Sequence, residues 1–197
     1  LALMISMAGC VQKVEESQVS DAQDTSESDV IKIGVFQPLT GANAAGGEME
    51  LEGTKLANEM FPEVLGKKIE LVIVDNKSDR VEAGNAVARL VERDKVSAVI
   101  GSWGSGFSMA AGETLKNAGI PAVAPSATNP LVTLDNDYYF RVCFIDTFQG
   151  KVLAQLAYEE LGAKKVAIIQ EVNNDYSVGL AQFFSNEFKD LTSDDGS

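Results

Sequence analysis

An α/β fold built on a parallel sheet is predicted by three observations. Short β-branched runs alternate with longer stretches of helical periodicity, most runs are apolar enough to be buried on both faces, and glycine follows two of the helical stretches where a left-handed cap is expected. Repeated strand, helix, strand order requires right-handed crossovers that lay helices on the sheet. Ligands of such sheets bind beyond the carboxyl ends of the strands.

Ile31 to Phe36 is the first strand, followed by a helix near 47–60. Ile69 to Val74 precedes a helix near 79–93, and Val96 to Ile100 leads into a helix at 105–118 that Gly119 closes. Ala122 to Ala124 and Tyr139 to Phe144 are the next strands. Between them Asp135-Asn136-Asp137 breaks the rhythm, and Asp146-Thr147-Phe148-Gln149-Gly150 then opens a helix near 147–161 that Gly162 closes. Lys165 to Gln170 is the last strand and 176–189 the last helix. The break marks a crossing into a second lobe, and the tyrosine pair Tyr138-Tyr139 reads as strand packing.

Two strand-to-helix junctions stand out, Gly101-Ser102-Trp103-Gly104-Ser105 and Ala124-Pro125-Ser126-Ala127-Thr128-Asn129-Pro130. Each brings a hydroxyl to a helix start, where unpaired N–H groups and the positive end of the macrodipole favour an anion. Taken singly, Ser105 and Thr128 are ordinary helix caps; as a pair at neighbouring strand ends they suggest a cradle for one small carboxylate. Trp103 either covers the sheet end or lines the cleft. Asp175 and Glu171 read as surface charges.

Composition removes several function classes. The 197 residues are 45% hydrophobic with a formal charge of −13, so no basic groove for nucleic acid is expected. There is no histidine, which excludes Ser-His-Asp and Cys-His catalysis and His-ligated metal sites. Cys143 lies in the apolar run Val142-Cys143-Phe144 and reads as a buried, inert thiol, with no disulfide.

Two glycine loops fail as nucleotide motifs. Gly41-Ala42-Asn43-Ala44-Ala45-Gly46-Gly47-Glu48 has the glycine spacing of a phosphate loop, but Gly47 and Glu48 stand where Lys and Ser or Thr are required. The glycines of Gly101-Ser102-Trp103-Gly104-Ser105-Gly106 are in the wrong order for a dinucleotide fingerprint.

Leu1 to Met7 is an apolar run too short to span a bilayer, and it ends at Met7-Ala8-Gly9-Cys10, which resembles a bacterial lipobox. That resemblance implies cleavage before Cys10, lipid attachment to its thiol, and a protein hung from a membrane outside the cytoplasm. Residues 11–29 carry Lys13 against Glu15, Glu16, Asp21, Asp24, Glu27 and Asp29 with no aromatic residue, the composition of a solvated tether. The expected organisation is a partial signal peptide at 1–9, an acidic disordered tether at 10–29, the N-terminal part of lobe 1 at 30–144, and the start of a truncated lobe 2 at 145–197. The chain reads as a fragment.

From Ile31 onward the sequence resembles the leucine/isoleucine/valine-type solute-binding proteins of ABC importers, with their type I periplasmic-binding fold of doubly wound parallel sheets in two lobes. The resemblance runs through Ile33-Gly34-Val35, Pro38-Leu39-Thr40-Gly41, Glu52-Gly53, Asp75-Asn76 with Ala83, and Val99-Ile100-Gly101-Ser102. It continues through Ile120-Pro121, Pro125-Ser126-Ala127-Thr128-Asn129-Pro130, Phe140-Arg141-Val142 and Gln149-Gly150.

The resemblance implies an amino-acid carboxylate held by the hydroxyl and N–H groups of Ser105 and Thr128, beside Trp103 and Gly104, with the Ser126 carbonyl accepting from the α-ammonium. Tyr176 would be the aromatic contact from the second lobe, and an acidic partner for the ammonium would lie past Ser197. A large side chain that some members place before the first helix corresponds here to Gly46, which would remove a wall. It further implies no enzyme, no cofactor and no metal, but a monomeric receptor that takes an amino acid, branched-chain or similar, by hinge closure and delivers it to an ABC permease. A sensory ectodomain and a binder of amide or urea-type solutes are the alternatives.

Overall fold

A computed structural model describes residues 30–193. The expected signal segment at 1–9, the tether at 10–29 with Cys10, and residues 194–197 lie outside the described residues.

The order is β1 (Val30–Gln37), α1 (Ala44–Met60), β2 (Glu63–Val64), β3 (Lys67–Asp75), α2 (Arg80–Glu92), β4 (Ala98–Ile100), α3 (Ser105–Ala118), β5 (Ala122–Ala124) and β6 (Tyr139–Arg141). Then come α4 (Asp146–Gln155), a π-helical turn at Leu156–Glu160, and α5 (Asp175–Ser193). The strands form a six-stranded sheet in the order β2-β3-β1-β4-β5-β6, parallel except for the β2–β3 pair. β1 pairs with β3 on one side and β4 on the other, so the chain reverses its direction of sheet building there. Such a switch point opens a crevice at the carboxyl ends of the strands.

Burial explains the order. β1 finishes as a wholly buried run from Gly34 to Gln37, and its Phe36 joins Val87 and Leu90 of α2, Val99 of β4 and Leu115 of α3 in one core. Gly119 caps α3 in the left-handed conformation (φ 65°), its N–H reaching the carbonyls of Leu115 and Lys116. Gly162, past the π turn, also has positive φ (63°). Tyr139 is buried in that core, with its hydroxyl donating to the Gly101 carbonyl at 2.6 Å.

Three expectations need correction, and one strand was not expected. First, α1 begins at Ala44 rather than near 47, because the glycines are its first turn instead of a loop: Gly46 and Gly47 donate to the Asn43 carbonyl. The sequence gives no warning of β2, which returns antiparallel to β3 through Leu65 and Gly66, both at positive φ, the geometry of a tight hairpin. Leu is a poor marker for such a turn. Second, Lys165 to Gln170 is not a strand. A strand needs ladder partners, none lies beside it among the described residues, and Ile169 is fully exposed. Third, β6 stops at Arg141. Cys143 is therefore half-buried in a bend rather than inside a strand, and it is a free thiol whose pKa burial pushes up, with Arg141 opposing.

Candidate functional site

The two junctions emerge side by side from the carboxyl ends of β4 and β5. Gly104 precedes α3 with φ 90°, a conformation that favours glycine, and a Cβ there would press on the Phe107 ring at 3.0 Å. This turn makes Ser105 the first helical residue, with an N–H that has no acceptor within the helix. The second junction opens only a three-residue 3-10 turn, Pro130–Val132, whose cap is Asn129, its side chain accepting from the Leu131 N–H at 3.0 Å. It therefore lacks the long aligned dipole that the sequence suggests, and its anion-binding capacity is limited to local N–H and hydroxyl groups.

A direct bond joins the junctions: the Asn129 N–H donates to Ser105 Oγ at 3.2 Å. Occupying an oxygen lone pair leaves the Ser105 hydroxyl proton free to donate elsewhere. Thr128 is buried, and its hydroxyl holds no hydrogen bond among the described residues. Asp146, fully buried at the start of α4, donates its N–H to the Thr128 carbonyl at 3.0 Å, while its two carboxylate oxygens are likewise without hydrogen bonds among the described residues. Burial raises its pKa; nearby Thr128 and Arg141 oppose that rise. Arg141 grips the second junction by donating to the carbonyls of Ala127 and Asn129 at 2.9 and 3.0 Å.

Beside them lies a cavity of about 280 Å³, lined by Trp103, Gly104, Ser105, Ser126 and Thr128 from the sheet and by Phe144, Gln149, Asn174 and Tyr176 from beyond β6. All six residues expected at a binding site thus share one cavity. Phe144, Gln149 and Asn174 were missed. Asn174 had a local signal, since its Oδ1 accepts from the N–H groups of Tyr176 and Ser177 at the start of α5. Gln149 reaches the Tyr176 hydroxyl at 3.4 Å, a contact no local pattern foretells.

Two further readings change. The space at Gly46 is not open, because a Cβ there would lie 2.3 Å from the Trp103 indole. The indole supplies the wall that the glycine would remove. Asp175 is not a free surface charge: it pairs with Arg80 of α2 at 2.8 Å, tying the start of α5 to the sheet unit.

Behind the cavity runs a polar chain. Gln37, fully buried at the end of β1, accepts from the Trp103 backbone N–H at 2.7 Å and donates to Glu50 of α1 at 2.8 Å. Glu50 also accepts from the Ser126 hydroxyl. Burial raises the Glu50 pKa, while Ser126 and Gln37 oppose the rise. Among the described residues no acidic or sulfur cluster is arranged to hold a metal ion.

The cavity opens at the carboxyl ends of parallel strands and is walled on its other side by residues that follow β6, and the chain belongs to the periplasmic binding protein family, whose model matches residues 30–193. This is a family of binding proteins rather than enzymes, and membership implies an extracytoplasmic protein. The chain is 39% identical over 158 residues to an amino acid binding protein of Pseudomonas aeruginosa and 33% identical over 159 residues to a Leu/Ile/Val-binding protein homolog of Brucella melitensis. In each case the match spans 78% of this chain and 42% of the relative, so the chain covers less than half the length of these proteins. The crystal structure of a leucine binding protein, LivK, from Thermotoga maritima superposes with a TM-score of 0.80 at 46% identity, over 82% of this chain and 46% of that one. That of the branched-chain amino acid transporter binding protein LivJ from Streptococcus pneumoniae, in complex with isoleucine, does so at 0.76 and 39%, over 81% and 47%.

Proposed function

We propose that this chain is the ligand-gripping part of an extracytoplasmic receptor that captures a branched-chain or similar amino acid and delivers it to an ABC permease. The observation that carries the reading is the meeting of Ser105 and Thr128 at one cavity, with a free hydroxyl proton on Ser105 and the buried Thr128 hydroxyl beside the Asp146 carboxyl. A carboxylate there receives the Ser105 O–H and N–H and the Thr128 groups, with the Ser126 carbonyl available to the ammonium. Trp103, seated on Gly46, forms an apolar wall for the side chain. The relatives bearing leucine, isoleucine and valine in their names support this ligand class.

Energetics argue for closure. Charge-assisted hydrogen bonds contribute about 1.5–3 kcal/mol each, whereas association costs ~4–15 kcal/mol before any surplus appears. Residues 30–144 alone therefore grip weakly, and useful affinity comes when the lobe that begins at 145 closes over the solute and excludes water. In this reading Cys10 carries a lipid that holds the monomeric receptor at the membrane, and 10–29 is its tether.

The test is thermal denaturation of the full-length protein against a panel of amino acids, amides and urea. Leucine, isoleucine or valine raises the melting temperature; if no free amino acid does, the ligand class is wrong.

A further inference from the structure

The hydrogen bonds behind the cavity have a fixed direction. The Trp103 backbone N–H can only donate, so the Gln37 side chain turns its oxygen to it and its NH₂ to Glu50. Glu50 then faces two donors, Gln37 Nε2 on one oxygen and the Ser126 hydroxyl on the other. Two donors converging on two oxygens is the coordination of a carboxylate. A hydroxyl has one proton, and Ser126 spends it on Glu50, so toward the cavity that Ser126 lines its side chain offers only lone pairs.

We propose that Glu50 is a positioning residue for cation recognition: by taking the Ser126 hydroxyl proton it makes the Ser126 oxygen an acceptor for the ammonium group of the ligand. The assignment rests on the amino-acid reading and deepens it. The Ser126 side chain thus accepts while the Ser105 side chain donates. Ser105 and Ser126 thus have opposite polarities, each set by its partner: Asn129 N–H on Ser105 leaves a proton, and Glu50 on Ser126 leaves a lone pair. A zwitterion is read by that contrast.

Glu50→Gln tests this without emptying the space. Its oxygen accepts from Gln37, so its NH₂ must donate to Ser126 and release the Ser126 proton toward the cavity. In the full-length protein, calorimetry with leucine is expected to show affinity lowered at least about tenfold, the scale of one charge-assisted bond. Binding of 4-methylpentanoate, which keeps the carboxylate and side chain of leucine but lacks the nitrogen, is expected to be unchanged. Ser126→Ala removes the acceptor itself and lowers leucine affinity similarly, and Glu50→Gln added to it has no further effect. Equal loss for both solutes, no loss for leucine, or an undiminished effect of Glu50→Gln on the Ser126→Ala background overturns the role of Glu50. Wild-type protein that binds no amino acid overturns the amino-acid reading and this inference with it; wild-type protein that binds leucine while Glu50→Gln binds it equally well overturns the inference alone.

Discussion

At the scale of single residues, Gly46 and Asp75 do work that their neighbours in the chain do not reveal. Gly46 sits in the first turn of α1, where helix propensity argues against glycine, because the Trp103 indole occupies the place of any Cβ. Gly46→Ala is expected to lower stability by about 1–3 kcal/mol through overpacking. As Trp103 is the only tryptophan, urea unfolding followed by its emission reads both the loss and the displaced ring. Asp75, at the end of β3, accepts from the Leu39 N–H, the Thr40 N–H and hydroxyl, and the Lys77 N–H. Burial alone would raise its pKa, but these bonds outweigh it and lower the pKa below the ordinary carboxylate value. A lowered folded pKa stabilises at pH values above the unfolded one, about 3.9, and that contribution disappears as pH falls through the folded value. Asp75→Asn should therefore be less stable than wild type at pH 7 and converge on it in strong acid; parallel curves across that range would count against the account.

Among the elements, helix ends and crossings decide stability. Asp79 caps α2 by accepting from the N–H groups of Val81 and Glu82 at 2.8 and 3.0 Å. Asp79→Ala is expected to cost about 0.5–2 kcal/mol by chemical denaturation, an effect no larger than any other surface change if the cap is idle. α4 crosses α5 at Gly150, where a Cβ would fall 2.7 Å from the Phe183 Cβ and 2.8 Å from the Phe184 N. Gly150→Ala should loosen this pair and depress the melting temperature, since backbone cannot give way as a flexible side chain does. Most elements were legible beforehand, since periodicity and the glycine caps Gly119 and Gly162 act over a few residues. Lys165 to Gln170 was misread for the complementary reason: β-branched composition signals a preference for a ladder, and a ladder is a property of the partner strand as well.

For the whole molecule, the sheet unit and the α4–α5 unit meet across the cavity, and the Arg80–Asp175 pair and the bond from Asn129 Nδ2 to the Asp175 carbonyl at 3.0 Å join them. Hinge closure predicts that the full-length protein contracts on binding, with a smaller radius of gyration by X-ray scattering when leucine is added. A ligand bound at unchanged radius would argue for a site that needs no closure. The candidate site was partly legible: Ser105, Ser126, Thr128 and Tyr176 stand in motifs, while Glu50, Gln37 and Gln149 are ordinary polar residues until the fold assembles them. By itself the sequence determined the α/β alternation, the parallel sheet, the absence of histidine chemistry and the two hydroxyl-bearing junctions, all consequences of local pattern and composition. Only the tertiary structure decided that Trp103 fills the space above Gly46 and that Glu50 meets Ser126, 76 residues further along the chain, because hydrogen-bond direction and close packing depend on which distant groups the fold brings face to face.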